Sequence, residues 1–452
     1  MPRWAYTLAL RLLSPLAMLW FLWRSRRQSA YRARLREPLA LGLAARYDRP
    51  LWLHAVSVGE VQALAPLLRS LAQLPAATPL LLTAATPTGL AHARTLYAGL
   101  LQAAGPGAPK LTLQMMPWDL PGAVARFLQA NQPRAAVFVE TELWPNMIAA
   151  CTARGIPQAL VSARVSARSL RRYQRLLPHV MRDAVRALAV IAAQSAVDRS
   201  RFIALGAAAE RVVVAGNLKF DIAVPGQCLA RGAALRARCA AHRPLWVAGS
   251  THPVEEGICI DAQRQLQQQA HAAGRAAPLL VLAPRRPERF AEVAQWLAAQ
   301  GTRFARSSAA AAAPDGELEV LLLDSMGELL DWYAAADAAF VGGSLVPVGG
   351  HNLLEPAALG KPVLAGPHCF NSPDAASLLE SAGAMQTVHD AAGLAAALSP
   401  LLTDAGLAQA RGAKAAAVVA ANRGAAERAL AMIAALAPAA AVITARESAL
   451  PG

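Results

Sequence analysis

From residue 51 onward, short apolar runs alternate with stretches in which apolar residues recur every three or four positions. The runs are almost uninterrupted by polar residues, which is typical of strands in a parallel sheet covered on both faces. The stretches between them, such as residues 60–74 and 121–130, have helical spacing. Seven strands are predicted before residue 222: LWLHAV from Leu51, PLLLTAA from Pro79, KLTLQMM from Lys110, AAVFVE from Ala135, QALVSA from Gln158, LAVIAA from Leu188 and RVVVAG from Arg211.

The alternation lapses over residues 223–243, a segment flanked by proline and glycine, and then resumes. Five more strands are predicted: PLWVAG from Pro244, PLLVLAP from Pro278, ELEVLLLD from Glu317, AAFVGG from Ala338 and KPVLAG from Lys361. We therefore predict an α/β protein with two Rossmann-like domains that face a central cleft, residues 37–222 and 244–438, joined by a linker over 223–243 and followed by a tail over 439–452. Ligands of such folds bind where strands end, so the cleft is the expected site.

The first 36 residues have a different pattern. Residues 4–23 are apolar apart from Tyr6, Thr7, Arg11 and Ser14, and Arg24, Arg26 and Arg27 follow at once. Twenty such residues can cross a bilayer, but Arg11 makes a span costly. We predict a hydrophobic and basic membrane anchor over residues 1–36, with a short span and an interfacial helix both open and a buried core helix as the alternative. The basic flank predicts a cytoplasmic body.

Charge and cysteine usage narrow the possible partners. The formal net charge of +15 favours an anionic partner, either acidic lipid, a phosphorylated substrate or nucleic acid. One predicted helix is strongly basic, which indicates either contact with anionic lipid or a solvated face; its arginines are Arg164, Arg168, Arg171, Arg172 and Arg175, joined by Arg182 and Arg186. Aromatic interleaving and nucleic-acid motifs are missing, so we predict no nucleic-acid partner. Five scattered cysteines without a CxxC pair favour a reducing cytosol.

One carboxylate directly follows the first predicted strand. In HAVSVGE, Ser57 and Gly59 precede Glu60, and Gly59 would let the backbone turn tightly. Glu60 then falls in the first turn of a helix, where the helix dipole favours an anion. We expect this position to keep Glu60 ionised and to lower its basicity. Stabilisation of the helix and catalysis are both open roles for it.

Polar residues also follow later strands of the first domain. Glu140 and Glu142 lie two residues apart after the fourth strand, so an extended backbone would point both to one side. Such a pair suits acid–base chemistry or a cation, although one of the two could instead cap the helix that begins near Pro145. Lys219 is one of only four lysines and lies near the end of the seventh strand. It suits a leaving phosphate, or it is a surface lysine.

In the second domain, the candidate residues follow four predicted strands. The first of these strands is followed by hydroxyls that could form an anion nest, the next by arginines that could clamp a phosphate, and the last by a glycine-rich loop typical of a ligand pocket. Within that loop, Glu355 is placed to hold ribose hydroxyls. No two histidines have the spacing of metal ligands, so we predict no metal site. The candidates are Ser250, Thr251, His252, Arg285, Arg286, Gly327, Gly350, His351, Asn352 and Glu355.

Together these motifs resemble one family, the 3-deoxy-D-manno-octulosonic acid (Kdo) transferases of lipid A biosynthesis. The resemblance covers roughly residues 50–372 and is carried by HAVSVGE, TPTG (from Thr86), ETELWPN, ARVSARS (from Ala163), LKFD, PERF, MGEL, GGHNLLEPA and GPHCFN. It implies an inverting GT-B glycosyltransferase that needs no metal or other cofactor. Its reaction would transfer Kdo from CMP-Kdo to the tetraacyl lipid A precursor (lipid IVA) in lipopolysaccharide core biosynthesis, at the cytoplasmic face of the inner membrane.

The resemblance also implies roles for individual residues. Glu60 would be the general base, and Glu140 and Lys219 would support the transition state. The CMP-binding residues would be Pro284, Arg285, Met326, Gly327, Glu328, Asn352, Leu353, Leu354 and Glu355. Two alternatives stay open: another two-domain glycosyltransferase or epimerase that uses a UDP-sugar, and a membrane-attached protein that binds lipid or nucleotide without turnover. Inhibition by CMP rather than by UDP would separate the Kdo transferase from the first alternative. Nucleotide binding without turnover would indicate the second.

Overall fold

A computed structural model describes residues 1–27, 29–45, 48–72, 78–102, 111–312 and 318–436 of the chain. The chain divides into two compact units, residues 1–221 together with 422–452, and residues 222–421. Each unit contains a seven-stranded parallel sheet, and helices connect the strands. The predicted α/β class with two parallel-sheet domains is therefore confirmed.

The first sheet has the strand order β3-β2-β1-β4-β5-β6-β7, with every neighbouring pair parallel. Its strands are β1 Leu51–His54, β2 Leu80–Ala84, β3 Leu111–Met115, β4 Ala135–Val139, β5 Gln158–Ala163, β6 Val190–Ala193 and β7 Val212–Val214. The helices are α1 Arg3–Arg27, α2 Ser29–Arg32, α3 Val58–Ala63, α4 Ala65–Ala72, α5 Pro87–Leu96, α6 Ala98–Gln102, α7 Pro121–Asn131, α8 Pro145–Thr152, α9 Ala167–Leu176, α10 Pro178–Ala187 and α11 Ala196–Leu205. Short 3-10 turns cover Glu37–Leu39, Ala209–Arg211 and Leu218–Phe220.

Burial on both faces explains why these strands are nearly free of polar residues. Leu51 and Leu53 of β1 pack in the core on one face of the sheet, together with Leu67 of α4. Trp52 points to the other face, where it meets Phe127 and Phe138 with ring centroids 4.9 and 5.3 Å away. A strand that is covered on both faces gains from apolar side chains at every position. All seven strands predicted for this region are present, although Lys110 lies outside the described residues.

The second sheet has the order β10-β11-β9-β8-β12-β13-β14 and is also parallel throughout. Its strands are β8 Leu245–Thr251, β9 Leu279–Pro284, β10 Phe304–Arg306, β11 Val320–Leu322, β12 Ala338–Val341, β13 Val363–Ala365 and β14 Met385–Thr387. The helices are α12 Cys228–Cys239, α13 Glu255–Ala272, α14 Phe290–Ala299, α15 Leu329–Ala335, α16 Leu354–Ala358, α17 Pro373–Ser381, α18 Ala391–Thr403 and α19 Ala405–Ala421, with 3-10 turns at Pro287–Arg289 and Ser307–Ala312. The sequence pattern missed β10 and β14, because these three-residue edge strands are only partly buried and carry polar residues. Glu317 and the predicted tail over 439–452 lie outside the described residues.

The C-terminal helix belongs to the first unit. The predicted second domain, residues 244–438, includes the alanine-rich C-terminal region, but the helix breaks after α19 and a separate helix, α20 Ala425–Leu436, packs against α4 of the first unit. The Asp221 carboxylate accepts hydrogen bonds from the backbone amides of Gly424 (2.6 Å) and Ala426 (2.5 Å), which cap α20. The compact units therefore divide at residues 221 and 421 rather than at 438. An alanine-rich pattern indicates a helix but not the sheet on which it packs.

Candidate active site

Glu60 lies on the first turn of α3, just past the carboxyl end of β1. The Ser57 hydroxyl accepts a hydrogen bond from the Glu60 amide (3.3 Å) and donates one to Glu60 Oε1 (3.0 Å). Glu60 Oε2 accepts from the backbone amide of Val56 (2.7 Å). This reciprocal arrangement is a form of the capping box, in which a hydroxyl and a carboxylate satisfy the free amides at the start of a helix. The carboxylate therefore has a fixed orientation and a structural role.

The surroundings of Glu60 also bring its pKa close to neutral pH. Burial is the main cause that raises the pKa of Glu60 from 4.5 to about 7, and the negative charges of Glu140 and Glu142 add to the rise. The hydrogen bonds from Val56 and Ser57 oppose it. Our expectation that the helix start would lower the basicity of Glu60 is wrong, because desolvation of the carboxylate outweighs the favourable amides. A general base is most effective when its pKa lies near the working pH.

Gly59 does not have the role that the sequence predicted. It lies inside α3, its φ is not positive, and a Cβ added there would meet only the Ser57 hydroxyl, at 3.9 Å. The turn before α3 therefore does not require glycine. Gly59 is exposed, and the missing side chain leaves open space on the helix turn that carries Glu60.

Glu140 and Lys219 form an ion pair at the same edge of the first sheet. Lys219 Nζ lies 2.7 Å from Glu140 Oε1, and the two side chains are 22% and 17% exposed, so a substrate could still reach them. Lys219 sits on the 3-10 turn after β7, where the Asn217 side chain accepts from its amide (2.9 Å). Glu140 directly follows β4 and has a φ of +62°, a left-handed conformation that costs energy outside glycine and is common at functional sites.

Glu142 does not share the surroundings of Glu140. The prediction that both side chains point to one side of an extended strand is wrong, because the left-handed turn at Glu140 ends the strand. Glu142 Oε2 instead accepts a hydrogen bond from Trp144 Nε1 (2.6 Å) and lies 3.7 Å from Nε2 of His54. The negative charges of Glu140 and Glu142 nevertheless both raise the pKa of Glu60.

The carboxylate of Asp119 accepts hydrogen bonds from the free backbone amides in the first turn of α8. Trp144 is the N-cap residue and makes no side-chain capping bond, so neither Glu140 nor Glu142 caps this helix. Asp119 accepts hydrogen bonds from the amides of Asn146 (3.0 Å) and Met147 (2.7 Å). The glutamates after β4 are thereby left for interactions at the sheet edge.

His54, which was not singled out from the sequence, lies beside Glu142 at this sheet edge. It is the last residue of β1 and is fully buried, with Nδ1 2.9 Å from the Thr83 hydroxyl. Its Nε2 has no hydrogen-bond partner and faces Glu142 at 3.7 Å. A single histidine within the apolar run LWLHAV was the available signal, because a polar ring in a doubly covered strand needs a specific partner.

In the second unit, the structure brings the predicted nucleotide-binding residues to one edge of the sheet. Strands β11, β9, β8 and β12 are consecutive neighbours, so the segments that follow them share that edge. Pro284 is the buried last residue of β9, and Arg285 is exposed directly after it. The segment Met326–Gly327–Glu328 is exposed between β11 and α15, with φ of +93° at Gly327.

A turn shaped by Asn352 begins α16. The Asn352 side chain accepts from the Leu354 amide (3.1 Å) and donates to Glu355 Oε1 (3.1 Å). Both Asn352 and Glu355 are partly exposed, whereas the side chains of Leu353 and Leu354 are buried. The two leucines therefore offer only backbone groups to a ligand.

The hydroxyls of Ser250 and Thr251 do not form the predicted anion nest; the carboxylate of Glu255 occupies the nearby backbone amides instead. Thr251 is buried, and Ser250 has a φ of +59° at an irregularity within β8, where the pairing with β9 shifts register. The carboxylate of Glu255 accepts from the amides of Gly343 (2.7 Å), Ser344 (3.0 Å) and Leu345 (2.9 Å), so a buried side chain occupies the amides of the glycine-rich loop. The loop also brings Gly350 and His351 back towards His252.

Within the described residues, no group of three or more His, Cys, Asp or Glu side chains could hold a metal ion. The predicted absence of a metal site stays a prediction.

Two successive α/β units, each built on a seven-stranded parallel sheet, define a protein of the GT-B fold class. A putative UDP-N-acetylglucosamine 2-epimerase from Listeria monocytogenes has the same fold, with a TM-score of 0.52 and 14% identity over 85% of this chain and 96% of that one. The family model for 3-deoxy-D-manno-octulosonic-acid transferase (kdotransferase) matches residues 24–222.

Sequence relatives place the chain in one family. The 3-deoxy-D-manno-octulosonic acid transferase of Bordetella pertussis is 42% identical over 86% of this chain and 89% of its own length. That of Haemophilus influenzae is 35% identical over 95% of this chain and 97% of its own length. The chain belongs to the Kdo transferase family, and it is a glycosyltransferase that transfers Kdo in lipopolysaccharide biosynthesis.

Proposed function

We propose that the chain transfers Kdo from CMP-Kdo to a tetraacyl lipid A precursor, with inversion and without a metal, at the cytoplasmic face of the inner membrane. The observation that carries the proposal is the half-buried Glu60 carboxylate, whose pKa is raised to about 7, at the sheet edge that also presents Lys219. The net charge of +15 supports an acceptor that carries phosphates in an acidic membrane.

Each proposed step assigns a task to a residue of this chain. Glu60 accepts the proton of an acceptor hydroxyl, whose oxygen then bonds to the anomeric carbon of Kdo. The bond from that carbon to the phosphate oxygen breaks, and the electron pair leaves with CMP. Lys219, paired with Glu140, stabilises the negative charge that develops. In the second unit, Arg285 and the Asn352–Glu355 turn bind the nucleotide.

The product mass tests the donor, the acceptor and the transfer together. We expect incubation with CMP-Kdo and the tetraacyl precursor to add one or more Kdo residues to the lipid, as seen by mass spectrometry. A matched incubation with a UDP-sugar should leave the lipid unchanged, and CMP should inhibit where UDP does not. Lipid that is unchanged by CMP-Kdo in membranes known to contain folded protein would contradict the proposal.

The N-terminal helix suggests how the protein reaches its lipid acceptor. Helix α1 is long and apolar enough to cross a membrane, and most of its apolar side chains are exposed, among them Leu8, Leu12, Leu16, Leu19 and Trp20. Arginines on α9 are exposed as well, namely Arg168, Arg171, Arg172 and Arg175. An exposed apolar helix and a basic surface on one unit fit an anionic bilayer.

Contacts along α1 favour a helix that lies in the membrane surface. Near its start, the Tyr6 hydroxyl donates to Asp119 (3.0 Å) and the Thr7 hydroxyl to Asn146 (2.9 Å). Near its end, buried Phe21 meets Trp118 with ring centroids 6.2 Å apart. Contacts that are 14 residues apart cover about 21 Å of helix, most of the roughly 30 Å hydrocarbon thickness. A helix held to its own domain over that length cannot cross the bilayer while the domain stays outside it.

A protease protection experiment decides between the two orientations. In inverted inner-membrane vesicles, which expose the cytoplasmic face, we expect added protease to digest a tag at the N-terminus. A C-terminal tag serves as the control, because it is digested in either orientation when the body is cytoplasmic. Protection of the N-terminal tag until detergent is added would show that α1 spans the membrane.

A further inference from the structure

Two histidines meet at the carboxyl edge of the second sheet, outside the residues to which the proposed chemistry gives a role. His252 directly follows β8, and His351 ends the glycine-rich loop after the neighbouring strand β12. Their Nε2 atoms are 2.8 Å apart, and the ring planes are within 3° of parallel with centroids 5.1 Å apart. Because the close approach is between the two Nε2 atoms, the coplanar rings meet edge to edge through a hydrogen bond rather than face to face.

This contact fixes the proton count of the pair. A donating imidazole nitrogen must carry a hydrogen, and an accepting one must not. The neutral pair is therefore one Nε2–H ring and one Nδ1–H ring that share a single proton between them. When both rings are protonated, two N–H groups and two positive charges oppose each other, and the hydrogen bond cannot form.

The glycine-rich loop is shaped to bring His351 back to His252. Gly343 has a φ of +70°, and a Cβ at this position would lie 2.9 Å from Cδ2 of the His351 ring. The loop closes through hydrogen bonds from the Gly350 amide to the Gly343 carbonyl (2.7 Å) and from the His351 amide to the Gly342 carbonyl (3.1 Å). Glycine at position 343 is thus required both by its backbone conformation and by the ring beside it.

Glu255 ties the two histidine-bearing segments together. Its fully buried carboxylate accepts from the His252 amide (2.9 Å) as well as from three amides of the glycine-rich loop. Two residues that flank His252, Ser250 and Val254, have φ values of +59° and +78°. A positive φ in a β-branched residue such as Val254 is strained, and such strain persists where the surroundings enforce it, often at functional sites.

His351 is joined directly to Asn352, which shapes the turn that begins α16. We propose that His252 and His351 act as one hydrogen-bonded positioning pair, which holds the Asn352–Glu355 turn in the conformation that binds the donor nucleotide. This inference rests on the proposed function, because CMP is the nucleotide assigned to that turn.

Charges around the pair set its response to pH. Burial is the main cause that lowers the pKa of His351 to about 4, and it also lowers the pKa of His252. Three nearby arginines act in the same direction on His252, while the carboxylate of Glu255 opposes them; the arginines are Arg285, Arg286 and Arg289. The pair is therefore neutral at pH 7, and it breaks as the pH falls towards 4. Nucleotide binding should weaken over the same range.

CMP binding measured by calorimetry tests the pair. We expect His252→Leu and His351→Leu each to weaken CMP binding about tenfold at pH 7, the scale of one lost hydrogen bond with a partner left unpaired. The double leucine variant should bind no more weakly than either single variant, because both remove the same interaction. His351→Gln keeps a hydrogen-bonding group, so it should bind CMP nearly normally at pH 7. Because it lacks the titrating imidazole, its CMP affinity should fall less than that of the unaltered protein as the pH drops towards 4. His271→Leu, at an exposed position of α13, is the control.

Different outcomes separate this inference from the proposed function. Normal CMP binding by both leucine variants would overturn the role of the pair and leave the proposed donor intact. Failure of the unaltered protein to bind CMP would overturn the donor and this inference together. If thermal melting shows that the leucine variants do not fold, the glutamine variant decides. The phosphate of free CMP titrates in the same way whichever variant is measured. If CMP affinity falls at acidic pH in His351→Gln just as it does in the unaltered protein, the proposal is overturned.

Discussion

Replacement of Glu60 by glutamine should lower kcat at least about 10²-fold, the scale on which a general base contributes. Glutamine has the shape of glutamate, so its amide oxygen can still accept a hydrogen bond from the Val56 amide. Its amide nitrogen can donate one to the Ser57 hydroxyl oxygen, which reverses the direction of the bond that glutamate accepts. The capping role is therefore kept, and only the ability to accept a proton is lost. Steady-state turnover with CMP-Kdo and the lipid precursor measures the effect.

The control for this variant is Glu210→Gln, at an exposed position of the same unit. It should leave turnover unchanged. Thermal melting of Glu60→Gln should match that of the unaltered protein, because both capping hydrogen bonds can form. A folded Glu60→Gln protein with near-normal turnover would reduce Glu60 to a helix-capping residue.

Replacement of Lys219 by methionine should lower kcat about 10²- to 10³-fold, as when one preorganised donor to a developing negative charge is removed. The substitution also removes the ion-pair partner of Glu140, because the ammonium that lies 2.7 Å from its carboxylate is lost. The negative charge of Glu140 already raises the pKa of Glu60. The pH at which Glu60 becomes a base should therefore move upward in Lys219→Met.

Two further variants test whether the lysine acts through this pair. Lys414→Met removes an exposed lysine of the second unit and should leave turnover unchanged. The double variant Glu140→Gln/Lys219→Met should return the pH dependence towards that of the unaltered protein, because the unpaired carboxylate is gone. A Lys219→Met protein with normal turnover and an unshifted pH profile would exclude a role in the transition state.

The sequence pattern predicted most of the fold because most of the strands are covered on both faces. The run from Ala135 to Val139 that forms β4 has no polar residue, and its pairing with β1 and β5 follows the usual parallel order. Strands β10 and β14 are three residues long, partly buried and carry polar residues, so their apolar signal is weak and they were missed. The placement of α20 on the first unit depends on Asp221, which lies about 200 residues earlier in the chain and leaves no local signal.

The candidate site was predictable in part for a related reason. Position after a strand identified Glu60, Glu140 and Lys219, since parallel strands end at one edge of the sheet. The direction of the pKa shift of Glu60 was not predictable, because it depends on desolvation by residues distant in sequence. The pairing of His252 with His351 was hidden for the same reason, as 99 residues separate the two rings.

The pH dependence of kcat/KM tests most directly whether Glu60 is the base. Because the free-enzyme pKa of Glu60 is raised to about 7, kcat/KM should rise with pH through about 7 and level off above it. Ser57→Ala, which removes a hydrogen bond that lowers this pKa, should move the rise to higher pH. Glu60→Gln should lose the rise in its residual activity. A rise centred near 4.5 in the unaltered protein, or one that persists in Glu60→Gln, would contradict the account.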